Sequence, residues 1–165
     1  MGVNTGPYKL VAVLHILCAI VGFGAVFLNG VYGAQAKARR GPEGLAVAEA
    51  NWLVSKVAEY FIYGVLVSGV LLVLLSDGVI EFGDTWVWLS ILLYVVAMGL
   101  SHGLLQPNVR RIVDAMREMV AGPAPSGGPP PQLAVMAQSG RVVGAVGAAL
   151  NVLMILVLFL MVWRP

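Results

Sequence analysis

Four apolar stretches dominate this sequence, and each is long enough to cross a membrane. They cover residues 8–32, 57–76, 86–105 and 143–163, and at about 1.5 Å per residue each can span about 30 Å of hydrocarbon as an α-helix. Their interiors contain no Asp, Lys or Arg, since Lys9 stands at the very start of the first stretch. Only 11% of the residues are charged, against about 25% in soluble domains. The sequence therefore predicts an all-α membrane protein, with one domain over residues 1–165 folded as an antiparallel four-helix transmembrane bundle.

The distribution of charge predicts how this bundle is oriented. The first and third connecting segments are basic, with Lys37, Arg39, Arg40 and Lys56 in one and Arg110, Arg111, Arg117 and Arg141 in the other. The second connecting segment is acidic, with Asp77, Glu81 and Asp84. Because basic loops stay in the cytoplasm, we expect both termini and the acidic loop to lie outside. The composition, rich in Ala, Val and Gly with more Arg than Lys, resembles that of high-GC bacteria, so we expect a multi-pass protein of the bacterial cytoplasmic (inner) membrane.

The connecting segments contain signals of their own. No glycine or proline interrupts the chain between Gly44 and the second span, so one long helix from about Glu43 to Ser76 is predicted. Pro107 lacks a backbone donor and should end or kink the helix after the third span. Residues 108–120 then form either a basic amphipathic helix on the membrane surface or an extension of the third span. The stretch 122–131, GPAPSGGPPP, predicts a flexible linker.

Small residues at four-residue spacing predict where the helices pack. Helices in lipid gain little from burying one apolar side chain against another, so close approach through small residues matters more. Each span carries such a pair: Cys18 and Gly22, Gly64 and Ser68, Gly99 and Gly103, and Gly140 and Gly144. We expect these pairs to hold the bundle together, although the same faces could instead pack against a second copy or a partner subunit.

Polar residues inside the spans fall at two depths, and the outer level centres on His15. Counted from the outer face, His15 lies roughly 10 Å down, and Ser68 and Tyr94 lie about 12 Å down. His15 is therefore a candidate ligand for a cofactor, with haem as the possible group. The alternative is a neutral imidazole that is hydrogen-bonded to Ser68, to Tyr94 or to a backbone carbonyl.

The inner level consists of Glu59 and His102, roughly 25 Å down, and Asn29, about 30 Å down. Ionisable groups inside a membrane are costly and indicate a functional site, so Glu59 and His102 could form a proton-accepting pair in an intramembrane polar cluster with Asn29. The alternative is that Glu59 pairs with Lys56, and that His102 bonds to a neighbouring helix.

The same depths argue against a haem held by both histidines. His15 and His102 differ by roughly 15 Å, whereas two axial ligands of one iron must lie at similar depth. The sequence shows no catalytic motif and no metal-binding motif. The single cysteine, Cys18, lies in an apolar run and is expected to be a packing residue.

Three short motifs stand out along the chain: Leu14-His15-Ile16-Leu17 followed by Gly22-Phe23-Gly24, the basic loop from Lys37 to Arg40, and Gln106-Pro107-Asn108. Together they resemble an uncharacterised bacterial family of predicted four-helix integral membrane proteins, which has no established activity. More distantly, a histidine in the first span is similar to copper-resistance D proteins and HemJ-type protoporphyrinogen oxidases. That resemblance implies that His15 touches haem, but the lysine that such oxidases have in a later span is missing here.

Two functions are compatible with these observations. The first is a non-catalytic subunit or accessory protein of a larger membrane complex. The alternative is a haem- or porphyrin-linked redox protein that uses His15. The sequence favours a protein that is not an enzyme, and a transporter is disfavoured because no span is broken. The expected partners are the lipid bilayer and either other membrane subunits or further copies of the chain. The net charge of +2 and the lack of a basic stripe argue against a nucleic-acid partner.

Overall fold

The protein consists of four long helical segments joined by short connections. The computed structural model describes residues 2–122 and 128–164, and in these ranges there is no β-strand. The helices are α1 (Gly6–Ala38), α2 (Pro42–Leu75), α3 (Thr85–Leu100), which continues through a π-helical turn (Ser101–Leu105) into α4 (Gln106–Ala121), and α5 (Pro131–Trp163). With α3 and α4 taken as one, four helices are long and apolar enough to span a bilayer. The predicted all-α, four-helix membrane fold is confirmed.

Each predicted span lies within one of these helices, except that Ser76 follows the last residue of α2. Half of the linker predicted at 122–131, residues 123–127, lies outside the described residues, and Pro131 is already the first residue of α5. Because the chain crosses four times, residues 76–84 and the outer ends of α1 and α5 lie at one end of the bundle, here called the acidic end. The turn at residues 39–41 and the start of α5 lie at the opposite end, here called the basic end.

A tight turn joins α1 to α2 at the basic end. Gly41 has a φ of 62°, a left-handed conformation that glycine adopts at little cost. Pro42 then opens α2, where its missing N–H is not needed. At Gly44, an added Cβ would lie 2.8 Å from the carbonyl oxygen of Ala36 and 2.5 Å from that of Arg39. The two backbones therefore approach so closely that only glycine fits between them.

Pro107 does not end the third helix, which continues to Ala121. A proline inside a helix donates no hydrogen bond and crowds the preceding turn. Here the π-helical turn Ser101–Leu105 stands immediately before it, and the side-chain amide of Asn108 donates to the carbonyl of Leu104 at 2.8 Å. The helix thus accommodates Pro107 by widening rather than by ending.

The segment after Pro107 extends the third span and does not form a separate surface helix. In α4 the apolar side chains of Val113 and Met116 are buried within the protein, and α4 packs against α5 and α2. Of the two predicted alternatives for residues 108–120, the extension is confirmed.

The helices form two closely packed pairs, α1 with α2 and α3 with α5, and α5 also contacts α1. Small residues bring α1 and α2 together as predicted. A Cβ added to Gly22 would lie 2.9 Å from Cγ1 of Ile62, and one added to Gly64 would lie 2.8 Å from Sγ of Cys18. Both glycines therefore make room for a neighbouring helix.

The predicted packing glycines of the third and fourth spans are placed differently. An added Cβ would meet no neighbouring atom within 4 Å at four positions, Gly99, Gly103, Gly140 and Gly144, and all four residues are exposed. Within the described chain these glycines do not bring helices together. A packing role for them therefore remains a prediction that requires a second copy or a partner subunit.

Candidate functional site

A largely apolar cavity of about 480 Å³ lies between the two helix pairs. It extends inward from the acidic end, where Trp86 and Met161 line it, to the level of Ile62 and Ser101. Side chains of α1, α2, α3 and α5 all contribute to its wall. Its volume falls within the range of about 300–1,000 Å³ that is usual for small-molecule and cofactor sites.

His15 lines this cavity, and Ser68 fixes its imidazole ring. Nδ1 of His15 lies 3.0 Å from Oγ of Ser68. The Ser68 hydroxyl has one proton and donates it to a carbonyl of its own helix, that of Gly64 or Val65. Ser68 therefore accepts a hydrogen bond from Nδ1–H of His15, as one of the predicted alternatives required. In a neutral imidazole this tautomer leaves the lone pair on Nε2.

Gly69 provides the space for the His15 ring. A Cβ added to Gly69 would lie 3.2 Å from Cε1 of His15 and 3.6 Å from its Nδ1. This edge of the ring therefore faces α2, and Nε2 has no hydrogen-bond partner among residues 2–122 and 128–164. Histidines that bind metals commonly have their other ring nitrogen fixed by such a hydrogen bond. The geometry thus leaves Nε2 available to a ligand.

Two further polar side chains of α3 lie on the cavity wall, Ser90 and Tyr94. The Tyr94 hydroxyl donates to the carbonyl of Ile62 at 3.1 Å, so its partner is a backbone atom of α2. Ser90 is only 7% exposed, and its buried Oγ has no hydrogen-bond partner within the described chain. A buried hydroxyl without a partner costs about 1–3 kcal/mol, so Ser90 is an exception that calls for an explanation.

A second group of polar residues, here called the Glu59 cluster, joins α2 to the π-helical turn nearer the basic end. Glu59 accepts hydrogen bonds from the Tyr63 hydroxyl at 2.8 Å and from Nζ of Lys56 at 3.2 Å. Nε2 of His102 lies 2.9 Å from the Tyr63 hydroxyl and 3.4 Å from Oε1 of Glu59. Gln106 bonds both to Lys56 at 2.7 Å and to Nδ1 of His102 at 3.0 Å. The structure thus brings the predicted residues Glu59 and His102 together.

The donors and acceptors of the Glu59 cluster match one another. Tyr63 gives its one proton to Glu59, so its oxygen accepts a hydrogen bond from Nε2–H of His102. Gln106 then donates its side-chain N–H to Nδ1 of His102 and accepts from Lys56 with its carbonyl oxygen. The predicted Lys56–Glu59 pair and the predicted bond from His102 to a neighbouring helix are both present. The proton-accepting role of the cluster stays a prediction.

Asn29 does not join the Glu59 cluster. Its side-chain carbonyl accepts a hydrogen bond from the hydroxyl of Ser55 at 3.0 Å, which links α1 to α2. The structure therefore places Asn29 among the contacts of this helix pair.

The two histidines occupy different levels of the bundle. On α2, the partner of His15 is Ser68, whereas His102 meets Tyr63 and Glu59, five and nine residues earlier. These separations correspond to about 8 and 14 Å along the helix axis. One iron cannot be ligated by both histidines within a single chain. The described residues also contain no group of three or more His, Cys, Asp or Glu side chains placed to hold a metal ion.

The sequence of the whole bundle matches one family. The model of the family described as "Predicted integral membrane protein (DUF2269)" covers residues 9–165. The chain belongs to the DUF2269 family. It is therefore a multi-pass integral membrane protein, and the family resemblance seen in its motifs is confirmed. No curated protein and no solved structure matches this DUF2269 protein, and its more distant similarity to copper-resistance D and HemJ-type proteins stays a prediction.

Sequence reasoning missed four residues of these sites in the DUF2269 chain. Tyr63 follows Glu59 by four residues, Ser90 precedes Tyr94 by four and Gln106 follows His102 by four, so helical spacing alone could have identified all three. Gly69 carries no comparable signal. Its role depends on the His15 ring packed over it, which only the tertiary structure reveals.

Proposed function

We propose that this DUF2269 protein is a non-catalytic subunit of a larger complex in the bacterial cytoplasmic membrane, and that it binds a neighbouring membrane protein through exposed glycines. One contrast supports the proposal. Gly22 and Gly64 hold α1 and α2 close together, whereas an added Cβ at Gly140 or Gly144 of α5 would meet nothing within 4 Å.

The energetics of helices in lipid give this contrast its meaning. Glycine inside a helix is less favourable than alanine by roughly 0.5–1 kcal/mol, and a bare glycine face gains nothing against acyl chains. Such faces become favourable when another helix approaches closely and packs along them. Gly140 and Gly144 lie one helical turn apart on α5, and Ala148 continues the same exposed line. We infer that this line accepts a helix of the partner protein.

The double substitution Gly140→Leu/Gly144→Leu tests this function. Wild-type protein, extracted from its native membrane in polymer-bounded lipid discs, should have a native mass larger than that of the single chain. The double variant should appear at the mass of the single chain, because leucine side chains prevent the close approach. The measurement is native mass spectrometry, combined with circular dichroism to establish equal helix content.

A matched control is Gly30→Leu/Gly33→Leu. These two glycines of α1 are also exposed, and an added Cβ there would meet nothing within 4 Å. The control should keep the large assembly. A wild-type protein recovered only as a lone chain, or a Gly140/Gly144 variant that keeps the assembly, would contradict the subunit function. An assembly that consists only of copies of this chain would replace it with a homo-oligomer.

One observation favours a second function, a haem- or porphyrin-linked redox protein. His15 faces the cavity with Nδ1 bonded to Ser68 and Nε2 left without a partner in the described residues. Nε2 of His15 would hold the group together with a methionine from the cavity wall, the candidates being Met98, Met154 and Met161. The bound group would contribute one-electron redox chemistry, whereas the chain would provide an apolar surrounding and fix the ligand.

The visible absorption spectrum tests this second function. Protein purified in mild detergent should show a Soret band that is lost in the His15→Ala variant and kept in His102→Ala, because only His15 lines the cavity. A colourless preparation that also fails to bind added haemin would reject the second function and leave the subunit proposal untouched.

A further inference from the structure

Two residues on the cavity wall, His15 and Ser90, each carry a polar atom that has no hydrogen-bond partner in the described chain. On α1, Nε2 of His15 carries a lone pair because Ser68 engages Nδ1–H. On α3, the Ser90 hydroxyl is buried and unpaired. Because α1 packs along α2 and α3 packs against α5, these two groups belong to different helix pairs. The cavity that both residues line lies between the pairs.

These two groups define what a ligand must offer. The lone pair of Nε2 requires an O–H or N–H donor, and a serine hydroxyl can donate or accept. In the structure Oγ of Ser90 is buried, so it reaches a ligand in the cavity by rotation about the single side-chain torsion of Ser90. Most of the remaining wall is apolar, with residues such as Phe23, Leu66 and Leu150, and Tyr8, Tyr94, Ser101 and Arg164 add further polar groups. A matching ligand has a hydrophobic body, an O–H or N–H donor on the side of His15 and a polar group of either kind on the side of Ser90.

We propose that the cavity binds an isoprenoid quinol. Its aromatic ring carries hydroxyl groups on opposite edges, one of which donates to Nε2 of His15 while the other bonds to Ser90. Its isoprenoid chain suits the apolar wall, and the cavity volume of about 480 Å³ suits a single ring with the first part of its tail. The proposal is independent of the subunit function. It competes with haem for the same face of His15.

The tautomer of His15 predicts which redox form binds. A quinol oxygen donates its proton to the Nε2 lone pair, whereas a quinone oxygen only accepts and therefore faces another acceptor. The reduced form should bind about 3–10 times more tightly than the oxidised form, which is the worth of one net hydrogen bond. This preference separates specific binding from simple partition into lipid, in which both forms dissolve.

Equilibrium binding to protein in lipid nanodiscs tests the proposal. The probes are tritiated decylubiquinol and decylubiquinone, with uptake by empty nanodiscs subtracted. We expect saturable binding of the quinol to wild type, and a dissociation constant about 3–10 times larger for His15→Leu and for Ser90→Ala. The matched control is Ser139→Ala on α5. Ser139 is 3% exposed and lies off the cavity wall, so quinol binding should be unchanged.

Any of three binding results would overturn the proposal: binding no greater than that of empty nanodiscs, equal quinol affinity in wild type and Ser90→Ala, or tighter binding of the quinone. A Soret band that depends on His15 would also overturn it, because haem would then occupy this face. If His15→Leu does not fold, Ser90→Ala decides alone, since it removes one buried atom that holds no partner in the described structure.

Discussion

The surroundings of His15 and the Glu59 cluster use similar side chains in opposite ways. In the Glu59 cluster, five polar side chains satisfy one another and tie α2 to the π-helical turn. Around His15, one hydrogen bond fixes the ring, the wall is apolar, and Ser90 lacks a partner among the described residues. Unsatisfied polar groups are costly in lipid. The Glu59 cluster, in which the side chains satisfy one another, therefore acts as a clamp that holds α2 and the π-helical turn together. The site around His15 leaves polar groups unsatisfied, so it is the site where we expect a ligand.

The largest effect is expected in the clamp, from Glu59→Leu. This variant deprives Lys56 and Tyr63 of their shared acceptor, so the free energy of unfolding should fall by about 2–3 kcal/mol. This loss is smaller than that for a fully buried ion pair, because Lys56 is partly exposed. The measurement is SDS-induced unfolding in mixed micelles. The control is Glu49→Leu, whose carboxylate pairs with Arg117 at 2.7 Å where both side chains are exposed. It should cost less than about 1 kcal/mol, and equal losses would show that Glu59 has no special role.

A smaller loss of about 1.5 kcal/mol is expected for Tyr63→Phe, measured by the same unfolding titration. The variant removes the hydroxyl that joins Glu59 to His102 but leaves the ring in place. Tyr60→Phe is the control, since Tyr60 is 75% exposed. If the two variants lose the same stability, the cluster is not a clamp.

At the His15 site, Ser68→Ala should lower the free energy of unfolding by about 1 kcal/mol, because Nδ1–H of His15 loses its acceptor. The more informative readout is the nitrogen NMR spectrum of His15. In wild type it should show protonation at Nδ1, and in the variant a mixture of both tautomers. A wild-type spectrum with the proton on Nε2 would refute the tautomer derived from the Ser68 contacts.

The smallest effect, with the opposite sign, is expected for Ser90→Ala in the absence of quinol. Its hydroxyl is buried without a partner in the described chain, so its removal should leave stability unchanged or raise it by up to about 1 kcal/mol. Thermal unfolding followed by circular dichroism provides the comparison with Ser68→Ala. A clear loss of stability would mean that the hydroxyl is already satisfied, and the contrast between the two sites would weaken.

The sequence alone predicted the features that depend on helix rise. Because every helical residue advances by the same distance, the count along each span correctly separated His15 from His102. It also placed His15 at the level of Ser68, to which it is bonded. The pairing of Glu59 with Lys56 followed in the same way from their spacing on one helix.

Features that depend on how each helix is rotated about its axis were not predictable. Gly99 and Gly103 on α3 and its π-helical turn, and Gly140 and Gly144 on α5, have the four-residue spacing of packing residues. All four nevertheless face away from the other helices of the chain. Asn29 lies at the expected depth but meets Ser55 on the neighbouring helix. The π-helical turn before Pro107 has no sequence signature comparable to a cap. In each case tertiary packing decides the outcome, and one sequence carries little information about it.

The length of α2 has a consequence for the membranes in which this protein can reside. Its 34 residues rise about 51 Å, whereas the hydrocarbon layer is about 30 Å thick. Even a steep tilt of about 40° leaves about 9 Å to spare. The excess includes Glu49 and Lys56, whose charges stay out of the hydrocarbon, so the apolar stretch 57–76 alone sets the bilayer thickness that α2 matches, about 30 Å. The polar turns before this stretch project past the hydrocarbon at the basic end, where Glu49 pairs with Arg117 of α4.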